Sequence, residues 1–206
     1  MTTTTILCFL GAAMALTIAP GPDNLFVVTQ GIARGRRPAI VTALGMCSGI
    51  SVHTTAAAFG VSAIFYSSAL AFTAVKYAGA AYLLYLAWRT LRDRSAIRLA
   101  TADERPLGAL FRRGFIMNVL NPKVALFFLA FLPQFVVPAA GSVPAQMLIL
   151  GGIFMVQAGI IFTLIGYFAG SVGRVLLCRP RLTRHFDRLT AGVFLTLGIR
   201  LALVER

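Results

Sequence analysis

The chain has 206 residues, 58% of them hydrophobic and only 12% charged, with a mean hydropathy of +0.84 and a formal net charge of +13. Such a composition excludes an ordinary soluble domain and points to a membrane protein. Nineteen basic residues against six acidic ones would also suit nucleic acid, but their placement, described below, argues for topology and anionic lipid headgroups instead.

Apolar runs of about 20 residues recur, a length that matches a hydrocarbon core of roughly 30 Å at about 1.5 Å rise per residue. They predict an all-α polytopic protein with six transmembrane helices, at about 6–30, 39–66, 69–88, 111–137, 145–171 and 189–204. The first run has no basic residue before it and stays apolar past any cleavage site, so it is expected to be a retained helix and not a signal peptide.

Span one is interrupted by "APGPDN". Pro20 and Pro22 lack the amides that would bond the carbonyls of Leu16 and Ile18, so the helix must kink or unwind there. Freed backbone groups are tolerated in hydrocarbon only where protein or water satisfies them, which turns the break, with Gly21, toward the bundle interior. After Pro22 a helix restarts with Asp23 and Asn24 in its first turn, a favourable place for a carboxylate. A carboxylate at this depth costs at least about 2.5 kcal/mol on insertion scales and usually faces a cavity. An ion pair with Lys123 would be its structural alternative.

Span two carries Gly45 and Gly49 at GxxxG spacing, which lets helices approach closely, and His53 among Ser48, Ser51, Thr54 and Thr55. His53 could relay protons or contact substrate; a neutral ring bonded to a neighbouring hydroxyl is the competing expectation. In span three Lys76 is expected to snorkel, with Tyr77, Tyr82, Tyr85 and Trp88 as packing residues and interfacial anchors. Span four is interrupted by "NPK": Pro122 frees the carbonyl of Asn118, with Asn118 and Asn121 near enough to satisfy local backbone. Span five carries Gln157, read as an interhelical hydrogen bond before a substrate contact, and a second pair, Gly166 and Gly170.

Fifteen of the 19 basic residues fall in alternate connections: Arg34 to Arg37, Arg89 to Arg113, and Arg174 to Arg188. The positive-inside rule then puts these loops in the cytoplasm and both termini outside. The central connection, about 89–113, separates half one (about 1–95) from half two (about 107–206) within one transmembrane domain. Three spans per half imply an inverted repeat, and an offset of 100 lays Pro22 over Pro122, Asp23 over Lys123 and Pro38 over Pro138. Discontinuous helices at matching places in two halves point to a transport site near mid-membrane.

Cys8, Cys47 and Cys178 are scattered, without the spacing of a zinc site or a disulfide frame. No GxxxxGK[ST], HExxH or GxSxG motif is present, so no enzyme, catalytic residue, metal or cofactor is expected.

Three stretches, "APGPDNLFVVTQGIARGRRPAIVTALGMCSGISVH", "VKYAGAAYLLYLAWRTLR" and "FRRGFIMNVLNPKVALFFLAFLPQFV", make the chain similar to the lysine exporter superfamily, in the branch named for resistance to homoserine and threonine. The resemblance covers nearly the whole length. It implies a six-span inner-membrane exporter of amino acids or close derivatives, driven by the proton motive force, with the breaks at Gly21 to Asn24 and Asn121 to Lys123 near the site. Asp23 is the only acid placed within a span, which favours a neutral zwitterion over a dication. The expected partners are the substrate, protons and membrane lipids; nucleic acid is not one, and a homo-oligomer is allowed. A membrane scaffold using its GxxxG faces, or an exporter of another small solute or ion, is the rival reading.

Overall fold

The computed structural model describes residues 1–19, 21–61, 69–92, 105–169 and 180–203. Pro20, Arg94, Arg98, Gly170, Arg174, Cys178 and Arg179 lie outside them, as does the connection at 62–68.

The described chain is helical: α1 (Thr3–Ile18), α2 (Pro22–Arg34), α3 (Arg36–Thr55, prolonged by a π-helical stretch Ala56–Val61), α4 (Ala69–Arg92), α5 (Leu107–Val119), α6 (Pro122–Leu126), α7 (Val143–Phe168) and α8 (Pro180–Leu203). A π-helical stretch Phe127–Phe131 and a 3₁₀ turn Leu132–Phe135 carry α6 onward. Among the described residues, α3 with its extension and α7 are each long and apolar enough to cross a membrane, and so are the bent pairs α1 with α2 and α5 with α6. The bends are 58° and 46°. The helices α4 and α8, 24 residues each, have the length for two more crossings. The protein is therefore a polytopic all-α membrane protein with broken helices at both expected places.

The sixth predicted span, 189–204, falls in a longer helix: α8 runs from Pro180 to Leu203, so Arg181, Arg184 and Arg188 sit in α8 and not in a preceding loop. Arginine is a good helix former whose long stem reaches the headgroups from inside a helix, which hydropathy alone does not register.

Close approach is built from small residues. A Cβ at Gly45 would collide with the carbonyl of Phe111, and one at Gly114 with that of Thr42, so α3 and α5 pack nearly backbone to backbone. Gly166 lies against Ala39, joining α7 to α3. Between α2 and α3 the chain reverses through Gly35 alone, at φ 87°, a conformation that favours glycine. Between Phe135 and Val143 the connection is longer, and Gln146 holds it by bonding the backbone N–H and C=O of Val137 at 3.0 and 2.9 Å. This extra length defeats the constant offset: Pro38 lies in the first turn of α3, whereas Pro138 opens a 3₁₀ turn outside any span.

Basic residues gather at one end. Arg34 donates to the carbonyl of Arg105 at 3.0 Å, Arg36 lies 4.0 Å over the ring of Tyr167, and Arg113 lies 4.8 Å over Phe26. Lys76 sits 4.6 Å over Tyr77.

Gly45→Ala should lower the thermal stability of the detergent-purified protein by about 1–3 kcal/mol, because the new methyl meets backbone that has no room to give. Gly11→Ala, where a Cβ would meet nothing, should be neutral or slightly stabilising in the same thermal-melt assay. Equal melting of both variants would refute the close-packing account.

Candidate functional site

The two breaks face each other. At the first, α1 ends at Ile18 and α2 begins at Pro22, so the terminal carbonyls of α1 need donors from elsewhere. Asn24, in the first turn of α2, supplies one amide nitrogen to three of them: Thr17 at 3.0 Å, Ile18 at 3.2 Å and Ala19 at 3.2 Å. Lys123 crosses from the other break and donates Nζ to Leu16 and Ala19, both at 3.1 Å. Leu16 and Ile18 are the carbonyls that proline at positions 20 and 22 leaves without amides.

At the second break Asn121 caps α6, its Oδ1 accepting the amide of Lys123 at 2.9 Å, while its Nδ2 donates to the Asp23 carboxylate at 2.6 Å. Pro122, like Pro22, starts the outgoing helix at a position where no amide is required. The carbonyl of Asn118, freed by Pro122, accepts from the Asn121 amide at 2.9 Å and from His53 Nε2 at 3.0 Å. A carbonyl can only accept, so Nε2 carries the hydrogen in this contact. His53 thus bonds none of the four nearby hydroxyls that were one alternative for it; Ser48, Ser51, Thr54 and Thr55 all donate to backbone carbonyls of their own helix.

Asp23 is 3% exposed and shares a small cavity with Lys123, Asn118 and Thr17, walled by Leu16, Ile50, Val124, Phe154 and Phe162. At its present size the cavity has room for about one water. The direct Asp23–Lys123 ion pair weighed from the sequence is replaced by a crossed arrangement. The acid of one break is held by the amide of the other, and the base of the second by the helix end of the first. A lysine in the first turn of its own helix opposes the macrodipole, and reaching the C-terminal carbonyls of α1 reverses that sign. Gly21 borders the ammonium, since a Cβ there would lie 3.4 Å from Nζ.

Gln157 makes the interhelical bond expected of it, donating Nε2 to Thr17 Oγ1 at 2.9 Å, and its Oε1 is buried without a hydrogen-bond partner. Asn118 Oδ1 is likewise buried and unpartnered, so Asn118, unlike Asn121, does not satisfy local backbone with its side chain. Thr17 and the walls Ile50, Phe154 and Phe162 were not expected from the sequence. Only Thr17, three residues before the first proline, carried a usable signal: a hydroxyl just ahead of a helix break.

A cluster of phenylalanines packs against the cavity wall at Phe154. Phe9, Phe127, Phe131 and Phe135 contact one another with ring centroids 5.1–6.0 Å apart, Phe154 lies 5.4 Å from Phe127, and Phe128 lies 5.9 Å from His53.

Chemically, the site offers a carboxylate for an ammonium, an ammonium with one hydrogen left for a carboxylate, and unpartnered amide oxygens, all enclosed by apolar walls. Among the described residues no cluster of three or more metal-ligating side chains occurs.

Asn24→Asp should destabilise the protein more than Asn24→Ala, because it replaces the shared donor with a negative charge facing three carbonyls. The alanine variant should lose about 1–3 kcal/mol for the orphaned acceptors. Thermal melts in detergent would show this order; the reverse order would refute the capping role.

Comparison with known proteins gives the arrangement its context. The family model described as LysE type translocator matches residues 14–205. An uncharacterized membrane protein of Vibrio cholerae is 31% identical over 202 residues, covering 97% of each chain. A homoserine/homoserine lactone efflux protein of Salmonella typhimurium is 31% identical over 195 residues, covering 94% of each. A leucine efflux protein of the same organism is 27% identical over 201 residues, covering 96% of this chain and 94% of its own. No solved structure matches. With the match running almost end to end over a bundle whose two broken helices meet at a charged cavity, this chain belongs to the LysE type translocator family.

Proposed function

We propose that the chain exports a neutral amino acid, or a close derivative of the homoserine or leucine kind, across the inner membrane by alternating access coupled to the proton motive force. The observation that carries this reading is the opposed pair of Asp23 and Lys123 on two facing helix breaks, enclosed by apolar walls. A zwitterion matches that pair end for end: its ammonium replaces Asn121 as partner of Asp23, and its carboxylate takes the free hydrogen of Lys123 together with unpaired amides at the starts of α2 and α6. The apolar walls accept an uncharged side chain and offer nothing to a second cation. Relatives named for homoserine and leucine efflux support the same class.

In this cycle the basic end faces the cytoplasm, the termini face outside, and the two three-span halves form an inverted repeat that rocks about the fixed site. The phenylalanine cluster is the barrier that must part for release. A proton reaching Asp23 from outside neutralises the carboxylate, frees the ammonium and favours return of the empty carrier. His53 serves beside it as a donor to the broken backbone. No step makes or breaks a covalent bond in the substrate.

Bacterial cells loaded with dipeptides should release one amino acid faster with this protein than with an empty vector. Release should fall to the vector level with Asp23→Asn and should depend on an intact proton gradient. Export by Asp23→Asn at the wild-type rate would remove Asp23 from the mechanism, and release unaffected by a protonophore would indicate a passive path. A scaffold role would instead leave function intact when Asp23 and Lys123 are replaced together by apolar residues.

A further inference from the structure

Half-helix ends in membrane carriers are places where freed carbonyls hold a coupling cation. Here the end of α1 already holds one. The carbonyl of Leu16, which Asn24 does not reach, and that of Ala19, which it shares, accept from Lys123 Nζ at 3.1 Å each. Asp23 lines the same small cavity as Lys123, so its carboxylate adds a second kind of oxygen to the neighbourhood. This is an all-oxygen set of the kind a hard cation takes, and the ammonium in it is a compact point charge on a flexible stem.

We propose that Lys123 is a tethered resident cation, filling the carbonyl site at the end of α1 that a dissolved sodium ion would otherwise occupy, so that the transport cycle runs without sodium. The charge balance supports it. With Lys123 in place the acid and base cancel and the site has no net attraction for a further cation. With Lys123 removed, two backbone carbonyls and the nearby carboxylate remain, and the site carries net charge −1. The inference deepens the transport reading of this site, but the oxygen set exists whether or not an amino acid is the cargo.

The test uses full-length purified protein and has two arms. In the first, thermal melts in detergent compare sodium chloride with choline chloride at equal ionic strength. The wild type should melt identically in both. Lys123→Ala should melt several degrees higher in sodium, saturably, and the additional change Asp23→Asn should abolish that gain. Lys123→Gln, which keeps a donor near the same carbonyls, should show a smaller gain. In the second arm, proteoliposomes holding the wild type exchange labelled leucine or homoserine equally fast in sodium and in choline, and exchange that needs sodium would overturn the proposal. A sodium-specific stabilisation of the wild type, identical melts of Lys123→Ala in the two salts, or its failure to fold in both, would overturn the proposal. If neither amino acid is carried by the wild type, the choice of cargo is wrong while the melts still decide the cation site.

Discussion

A proline inside a membrane-spanning helix strands a carbonyl in a medium with no water to satisfy it, and the architecture around this site follows from how three such carbonyls are answered. Those of Leu16 and Ile18 at the first break find Lys123 and Asn24; that of Asn118 at the second finds His53. Ala19, the last described residue before the break, is shared between Lys123 and Asn24. Where the donor is Lys123, from the opposite break, or His53, from the neighbouring helix α3, the satisfied carbonyl is also a tether between elements distant in sequence. The polar cluster is therefore part of what holds the bundle together, at a place where an unsatisfied backbone group costs several kcal/mol.

That arrangement needs the helices to come unusually close, which the glycines of α3 and α5 permit. Gly49 lies against the Asn118 side chain and Gly45 against the backbone at Phe111, so the helix carrying His53 is pressed onto the helix that ends at the freed carbonyl. Membrane helices gain little from hydrophobic association, and tight contact of small residues supplies dispersion energy in its place. Site and packing thus depend on one another: widening the α3–α5 contact would withdraw His53 from its acceptor. Beside the site the phenylalanines Phe9, Phe127, Phe131 and Phe135 pack ring against ring and reach the cavity wall through Phe154, so large rigid apolar side chains adjoin the charged groups.

Much of this was legible in the sequence because proline speaks through physics that context cannot override. Pro22 and Pro122 located both breaks, the carbonyls to be freed followed from the four-residue register of a helix, and Asp23 and Lys123 stood out as charges at a forbidding depth. What could not be read was the partner of each group. Nothing in "NPK" says that Lys123 would reach the end of α1 instead of pairing with Asp23, because that choice depends on three-dimensional separation. His53 stood out mid-span, but the carbonyl it bonds comes from 65 residues away, beyond the reach of any local pattern. The apolar walls Ile50, Phe154 and Phe162 were invisible for a different reason: in a chain this hydrophobic, core, lipid-facing and cargo-facing residues share one composition. The start of the sixth helix at Pro180 was not legible, because hydropathy marks the apolar run and not the extent of backbone hydrogen bonding.

The account stands or falls on whether a zwitterion is held between Asp23 and Lys123. Solid-state NMR of the protein in lipid, with a ¹⁵N-labelled homoserine or leucine and ¹³C-labelled aspartate, reads that geometry directly through the dipolar coupling between the substrate nitrogen and a side-chain carboxyl carbon. The account predicts a short contact between the ammonium and the carboxyl of Asp23, assigned by its loss in Asp23→Asn. A saturably bound amino acid whose nitrogen shows no contact with Asp23, and which binds as tightly to Asp23→Asn, would contradict it.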